Sequence, residues 1–237
     1  MKNILITICA RGGSKGIPGK NIKQIGGRPL VCYSIDVARA FAESRGADIA
    51  FSTDSREILD VAVKCGLTDD YVRPPELGND VVGKPDVIKD VMLFYEKKNG
   101  KTYDCVVDLD VTSPIRTLHD VERCVALLAD NPEALTVFSV NPCSRNPYFN
   151  MVQQEADGFF HVVLGGRYTT RQSAPKVYDM NASIYVYRRE ALDCPNPRAV
   201  TDRSLVYVMD HVCFDLDEPE DFDYLEYLVE RNKVRLI

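Results

Sequence analysis

The chain has 237 residues, 45% of them hydrophobic and 27% charged, with only 14 glycines and 13 prolines, which excludes a disordered or fibrous protein and leaves enough apolar material for one large domain. Its 29 Lys and Arg against 35 Asp and Glu give a formal charge of −6, so a sequence-independent grip on nucleic-acid phosphates is not expected and any anion site must be local. No run approaches the roughly 20 apolar residues of a membrane span, and the short apolar run 4–10 is closed at once by Arg11, which argues against a secretory signal.

Short β-rich runs alternate with longer helical patterns, which predicts an α/β fold on a mainly parallel sheet. Residues 4–9 read as a buried first strand and 29–44 as a helix with apolar positions at Leu30, Val31, Ile35, Ala38 and Phe41. A strand follows at 48–52, then a helix over 55–64 opened by Ser55 and stopped by Gly66. Residues 84–98 form a third helix, 103–110 a strand, and 117–129 a helix with Asp120 and Glu122 in its first turns, where the dipole favours negative charge. Another strand is expected at 135–140. From 141 to 180 the pattern breaks into short β-like pieces such as 159–164, interrupted by Pro142, Pro147, Gly158, Gly165, Gly166 and Pro175. An irregular excursion of that length in a compact fold is usually functional, here an oligomerisation arm or a lid. Strands at 182–187 and 205–209 and a helix at 219–231 complete a single domain, 1–237. The eight cysteines, at 9, 32, 65, 105, 124, 143, 194 and 213, lie scattered in apolar stretches without a C-x-x-C pair. That scatter predicts neither zinc nor disulfides, but buried thiols in a reducing cytoplasm.

The segment Ala10-Arg11-Gly12-Gly13-Ser14-Lys15-Gly16-Ile17-Pro18-Gly19-Lys20-Asn21 places four glycines and three cations directly behind the first strand. Glycines let backbone N–H groups converge on phosphate oxygens, and Arg11, Lys15 and Lys20 add charge. Ligands of α/β sheets bind beyond the carboxyl ends of the strands, where this loop begins. It is not a Walker loop: Ser14 stands where the first glycine is required and Asn21 where the magnesium-binding hydroxyl is required. A G-x-G-x-x-G fingerprint is also absent. The three histidines, His119, His161 and His211, have neither metal-ligand spacing nor an evident Ser or Cys partner.

Ala10 to Gly16 followed by Lys20-Asn21 resembles the nucleotide-binding signature of the acylneuraminate (sialic acid) cytidylyltransferases. Further matches follow in the family's order: Ser52-Thr53-Asp54, Arg73-Pro74-Pro75-Glu76-Leu77, Thr112-Ser113-Pro114-Ile115-Arg116, Arg171-Gln172, Tyr178 with Asn181, and Asp215-Leu216-Asp217. Around residues 145–150, 170–175 and 178–183 the chain is most similar to the bacterial branch that handles legionaminic acid. The resemblance implies a Rossmann-like nucleotidyltransferase fold with helices on both faces of the sheet. It further implies transfer of CMP from CTP to a nine-carbon keto-sugar acid with release of pyrophosphate, a magnesium requirement, and a homodimer in which 141–180 reaches toward the partner's active site. Two departures stand out: Asp110 replaces a Gln common in sialic acid enzymes, and their Asn-Gly-Ala reads Asn181-Ala182-Ser183 here.

On this basis Arg11 and Lys20 are assigned to the triphosphate, with Gly12, Gly13 and Asn21 as backbone or amide donors, Ser14 and Lys15 in support, and Arg73 near the cytosine or ribose. Asp215 and Asp217 alternate on a strand-like stretch and are candidates for Mg²⁺, a hard cation that takes oxygen ligands; the alternative is an acidic helix opening around Pro219. Asp110, Thr112, Ser113 and Arg116 are candidate sugar contacts, although a Thr-Ser-Pro turn is commonly only a helix cap; Asp108 reads as structural. Arg171 matches the residue that would grip the sugar's carboxylate through parallel hydrogen bonds, with Gln172, Tyr178 and Asn181 as pocket neighbours. Enzymes for other sugars, such as an octulosonate, or a nucleotide-binding module without turnover, are the competing readings.

Overall fold

The computed structural model describes residues 1–13, 16–79 and 81–236. The chain begins with β1 (Ile4–Cys9), and a small hairpin of β2 (Gln24–Ile25) and β3 (Arg28–Pro29) leads into α1 (Leu30–Arg45). Next come β4 (Asp48–Ser52), α2 (Arg56–Lys64), α3 (Lys84–Asn99), β5 (Cys105–Leu109) and α4 (Leu118–Asp130). β6 (Thr136–Pro142) runs out into a ribbon of β7 (Val152–Gln154) and β8 (Phe160–Val162), and β9 (Tyr178–Arg188) returns from it. The short α5 (Arg189–Leu192), β10 (Ser204–Val208) and α6 (Pro219–Glu230) complete the order.

Six strands form one sheet in the order β10-β6-β9-β5-β1-β4. β4, β1 and β5 are mutually parallel, as are β6 and β10, and β9 is antiparallel to both its neighbours. The sheet is thus mainly parallel, as the alternation of elements implies. Strand side chains alternate between faces, and both faces are covered. Ile4, Ile6 and Ile8 pack with Ile35, Phe41, Phe222 and Leu225 on one side. Leu5 and Val106 pack with Ile88, Met92 and Tyr103 on the other. Each such fully buried side chain contributes roughly 1.5–3 kcal/mol over an exposed one.

Local chemistry fixes the helix starts. Ser55 Oγ accepts from Ile58 N at 3.4 Å to cap α2, and Thr117 and Asp120 form a reciprocal capping box on α4. Glu218 and Asp221 do the same for α6, with Pro219 in its first turn.

Two differences from the sequence reading are physical in origin. β9 starts at Tyr178 rather than 182, because β6 overruns the sheet and pairs Val140, Asn141 and Pro142 with Met180, Asp179 and Tyr178. The register shifts between Phe138 and Val140, and opposite that irregularity Ala182 adopts φ 55°, a conformation that favours glycine. The expectation of free thiols throughout is corrected: Cys32 of α1 and Cys65 at the end of α2 form a disulfide, with Cα atoms 6.4 Å apart. The partners sit 33 positions apart on two packed helices, a proximity that scattered spacing does not reveal. Among the described residues, no helix is long and apolar enough to cross a membrane.

Candidate active site

At the carboxyl ends of β1, β4 and β5 lies a cavity of about 710 Å³. The loop after β1 forms one wall, and its own polar groups hold it in shape. Ala10 N donates to Ser52 O at 2.9 Å, Gly12 N donates to Asp54 Oδ1 at 2.7 Å, and buried Asn21 donates its amide to Arg11 O at 2.8 Å. Asn21 therefore acts as a clasp for the loop as well as a lining residue. Gly16 lies so close to the Asp217 carbonyl that a Cβ there would collide with the oxygen. Lys20 Nζ donates to Leu216 O and stands 3.6 Å from Asp217 Oδ1. Two stretches almost 200 residues apart in sequence thus meet at the cavity's rim. Ser14 and Lys15 lie outside the described residues.

Arg11, Lys20, Asn21, Arg73, Asp110, Thr112 and Asp217 all line this cavity. Arg73 is buried and locked to the end of β4, donating through Nε to Ser52 Oγ at 2.9 Å and through Nη2 to Ser52 O at 2.7 Å. The segment carrying Asp215 and Asp217 is not a strand but an irregular run anchored by fully buried Leu216, whose N–H donates to Thr112 O at 2.9 Å. Burial lifts the Asp215 carboxyl above its ordinary range. The Asp110 and Asp217 carboxylates push the same way, against Thr112 and Lys20. Asp217 and Glu218 also donate their backbone N–H groups to Asp221 Oδ2, at 2.9 Å each, so the acidic helix opening is built here as well.

Three candidates face elsewhere. Ser113 is fully buried and bonds Asn181 O at 2.6 Å and Phe214 O at 3.0 Å. Arg116, also buried, donates through Nε to Ser183 Oγ at 2.9 Å and through Nη2 to Ser113 O at 2.6 Å and to Asp110 O. Asn181 Oδ1 accepts from Ser139 Oγ at 2.6 Å, and its amide donates to Asn141 Oδ1 at 2.7 Å. None of the three lines the first cavity; together they pin the Thr-Ser-Pro turn to β9. Arg171, Gln172 and Tyr178 gather around a second cavity of about 520 Å³ in the 141–180 excursion, with Cys143, Asn146 and Lys176.

Among the lining residues that escaped the sequence reading, one is charged and central. Lys84, in the first turn of α3, reaches into the first cavity between Asp108 and Asp110. The available signal was a lysine at a helix N-terminus, where the dipole disfavours a cation.

A family model described as Cytidylyltransferase matches residues 5–234. The chain belongs to the cytidylyltransferase family. It is 38% identical to the CMP-N,N'-diacetyllegionaminic acid synthase of Campylobacter jejuni, over 97% of this chain and 96% of that protein. It is 36% identical to the post-translational flagellin modification protein B of Campylobacter coli, over 99% and 98%. In fold it is similar to a CMP:2-keto-3-deoxy-manno-octonic acid synthetase solved with CTP, at TM-score 0.70 and 18% identity, over 97% of this chain and 99% of that one.

In this cytidylyltransferase, a nucleotidyltransferase, the first cavity combines basic side chains from the loop after β1, from the α2–α3 connection and from α3 with carboxylates on the opposite rim. Among the described residues, no group of three or more His, Cys, Asp or Glu gathers to hold a metal by itself. Magnesium, however, commonly uses one or two carboxylates together with water and substrate phosphates. Asp215 and Asp217 fit that role as hard oxygen donors; burial chiefly raises the proton affinity of Asp215, and the Asp110 and Asp217 carboxylates beside it add repulsion that a cation would relieve.

Proposed function

We propose that this cytidylyltransferase transfers CMP from CTP to a nine-carbon keto-sugar acid of the N-acylneuraminate or legionaminate type and releases pyrophosphate. The observation that carries the reading is the meeting of Lys20 and Gly16 with the Leu216–Asp217 segment across one cavity. It sets a cation from the glycine-rich loop beside the carboxylates that would hold magnesium. The name of the Campylobacter jejuni relative supports the choice of sugar class, and the likeness to the octonic acid synthetase supports the fold.

In the reaction the sugar's anomeric hydroxyl oxygen attacks the α-phosphorus of CTP. The bond to the β-phosphate oxygen breaks, pyrophosphate carries off the electron pair, and the hydroxyl proton passes to water. Such transfers rely mainly on positioning and charge stabilisation. Arg11 and Lys20 bind the triphosphate, with the N–H group of Gly13 and, by family resemblance, Ser14 and Lys15, whereas the Gly12 N–H is taken by Asp54 and shapes the loop. Arg73, fixed to β4, orients the cytosine or ribose. Asp215 and Asp217 would hold Mg²⁺, which when bound neutralises charge developing on the leaving phosphates. Arg171, Gln172 and Tyr178 bind the sugar's carboxylate end.

The excursion 141–180 acts as a dimerisation arm that brings those three residues to the partner's cavity. Val152, Phe159, Phe160 and Leu164 on it are all more than half exposed, an apolar surface of the kind that association covers. The deciding experiment measures pyrophosphate release with CTP, UTP, GTP and ATP against neuraminic, legionaminic and octulosonic acids, with and without Mg²⁺. Release confined to CTP with a nine-carbon acid is expected. Release with the octulosonate, or CTP binding without turnover on any acid, would replace this reading.

A further inference from the structure

The wall of the first cavity between α3 and β5 is an ion triad. Lys84 Nζ lies 2.7 Å from Asp108 Oδ2 and 2.6 Å from Asp110 Oδ2. Asp108 is fully buried; its Oδ1 accepts from Thr7 Oγ1 at 2.8 Å, and its Oδ2 has no directed hydrogen bond, so the ammonium compensates it as an ion pair. Asp110 is held at its other oxygen, where Oδ1 accepts from Thr112 N and Thr112 Oγ1 at 3.2 Å each. The Asp110 and Lys84 side chains keep 19% and 30% of their surface open, and both line the cavity.

Two carboxylates in one wall would repel an anionic ligand and each other, and a buried carboxylate without a partner is strongly destabilising. The lysine removes most of that charge and fixes the Asp110 carboxylate at two points. An ionised carboxylate only accepts hydrogen bonds, so the matching ligand group is a hydroxyl or an amide N–H rather than a phosphate. Asp110 stands at the end of β5 beside Thr112, which carries the Leu216 anchor, whereas Arg73 is fixed to β4. That places the acceptor toward the carboxylate rim.

We propose that Lys84 is a positioning residue that holds Asp110 as a rigid acceptor for a hydroxyl or amide donor of the sugar acid. This rests on the functional reading above and deepens it. The sugar acid is the ligand argued for, although the ribose hydroxyls and cytosine amine of CTP are donors too, so the test measures both substrates.

Steady-state kinetics on the full chain with CTP and N,N'-diacetyllegionaminic acid, paired with calorimetric CTP binding, provide that test for Lys84→Met, Asp110→Asn and the double variant. The sugar-acid KM is expected to rise at least tenfold in each single variant, with kcat and CTP affinity within about threefold of wild type. In the Asp110→Asn background, Lys84→Met should raise KM by less than threefold further, because its effect passes through Asp110. If Lys84→Met does not fold, Lys84→Met with Asp108→Asn carries the same expectation, since no unpaired fully buried charge remains. Equal effects of Lys84→Met in both backgrounds, an unchanged sugar-acid KM, or a matching loss of CTP affinity would overturn the assignment. A wild-type chain inert with every acid would remove the functional reading and this one together, whereas an active wild type with an indifferent Lys84→Met variant removes this one alone.

Discussion

In the loop after β1, polar groups find partners within the same chain: Gly12 N–H on Asp54, the Asn21 amide on Arg11 O, Lys20 on Leu216 O. In the ribbon between β6 and β9 the opposite holds for the apolar side chains, with Phe159 and Phe160 69% and 63% exposed on a hairpin whose strands, among the described residues, pair only with each other. The described part of the first region is tied down by folding alone. The second presents surface that folding leaves uncovered, and an isolated two-stranded hairpin is at best marginally stable in water. On the proposed function, nucleotide recognition rests on the loop tied within its own chain, and sugar recognition rests on the ribbon and hence on assembly.

The sharpest way to break that contrast is Lys20→Ala. If the loop acts through charge at the triphosphate, turnover should fall about 10²–10³-fold, the range seen when one donor to a developing charge is removed, while the melting temperature stays close to wild type. A variant that unfolds before it loses activity would make Lys20 a structural tie to Leu216. Next in size is the ribbon. Phe159→Ser with Phe160→Ser should weaken self-association at least tenfold in sedimentation equilibrium, since each buried aromatic is worth roughly 1.5–3 kcal/mol. CTP binding should be untouched; a parallel loss of CTP affinity would show that the first cavity is not self-sufficient. The smallest effect belongs to the root of the ribbon. Ala182 has φ 55°, and an L-residue there costs roughly 1–2 kcal/mol relative to glycine. Ala182→Gly should therefore raise stability to urea by about 1 kcal/mol, and no gain would mean that the Asn181 and Ser183 bonds hold the turn without strain.

Much of the sheet was legible in the chain. The strands at 4–9 and 48–52 match β1 and β4 residue for residue, because a mostly buried parallel strand is a short apolar run with clear punctuation. The glycine-rich loop was legible for a related reason: glycines and cations behind a buried strand have few other uses. What stayed hidden depended on contacts between distant elements. Ser113, Arg116 and Asn181 carry side chains that could serve a ligand equally well, and only the folded chain turns them toward one another. Lys84 meets its two carboxylates only through the folding of α3 against β5, and Cys32 meets Cys65 only because α1 and α2 lie side by side.

Leu216 contacts no reacting group, yet it is the keel of the acidic rim. Its apolar side chain is sunk in the core between two aspartates, its amide holds Thr112, and its carbonyl receives Lys20. The spacing between the cation on one shore and the acids on the other is therefore set by a hydrophobic plug rather than by the charges themselves.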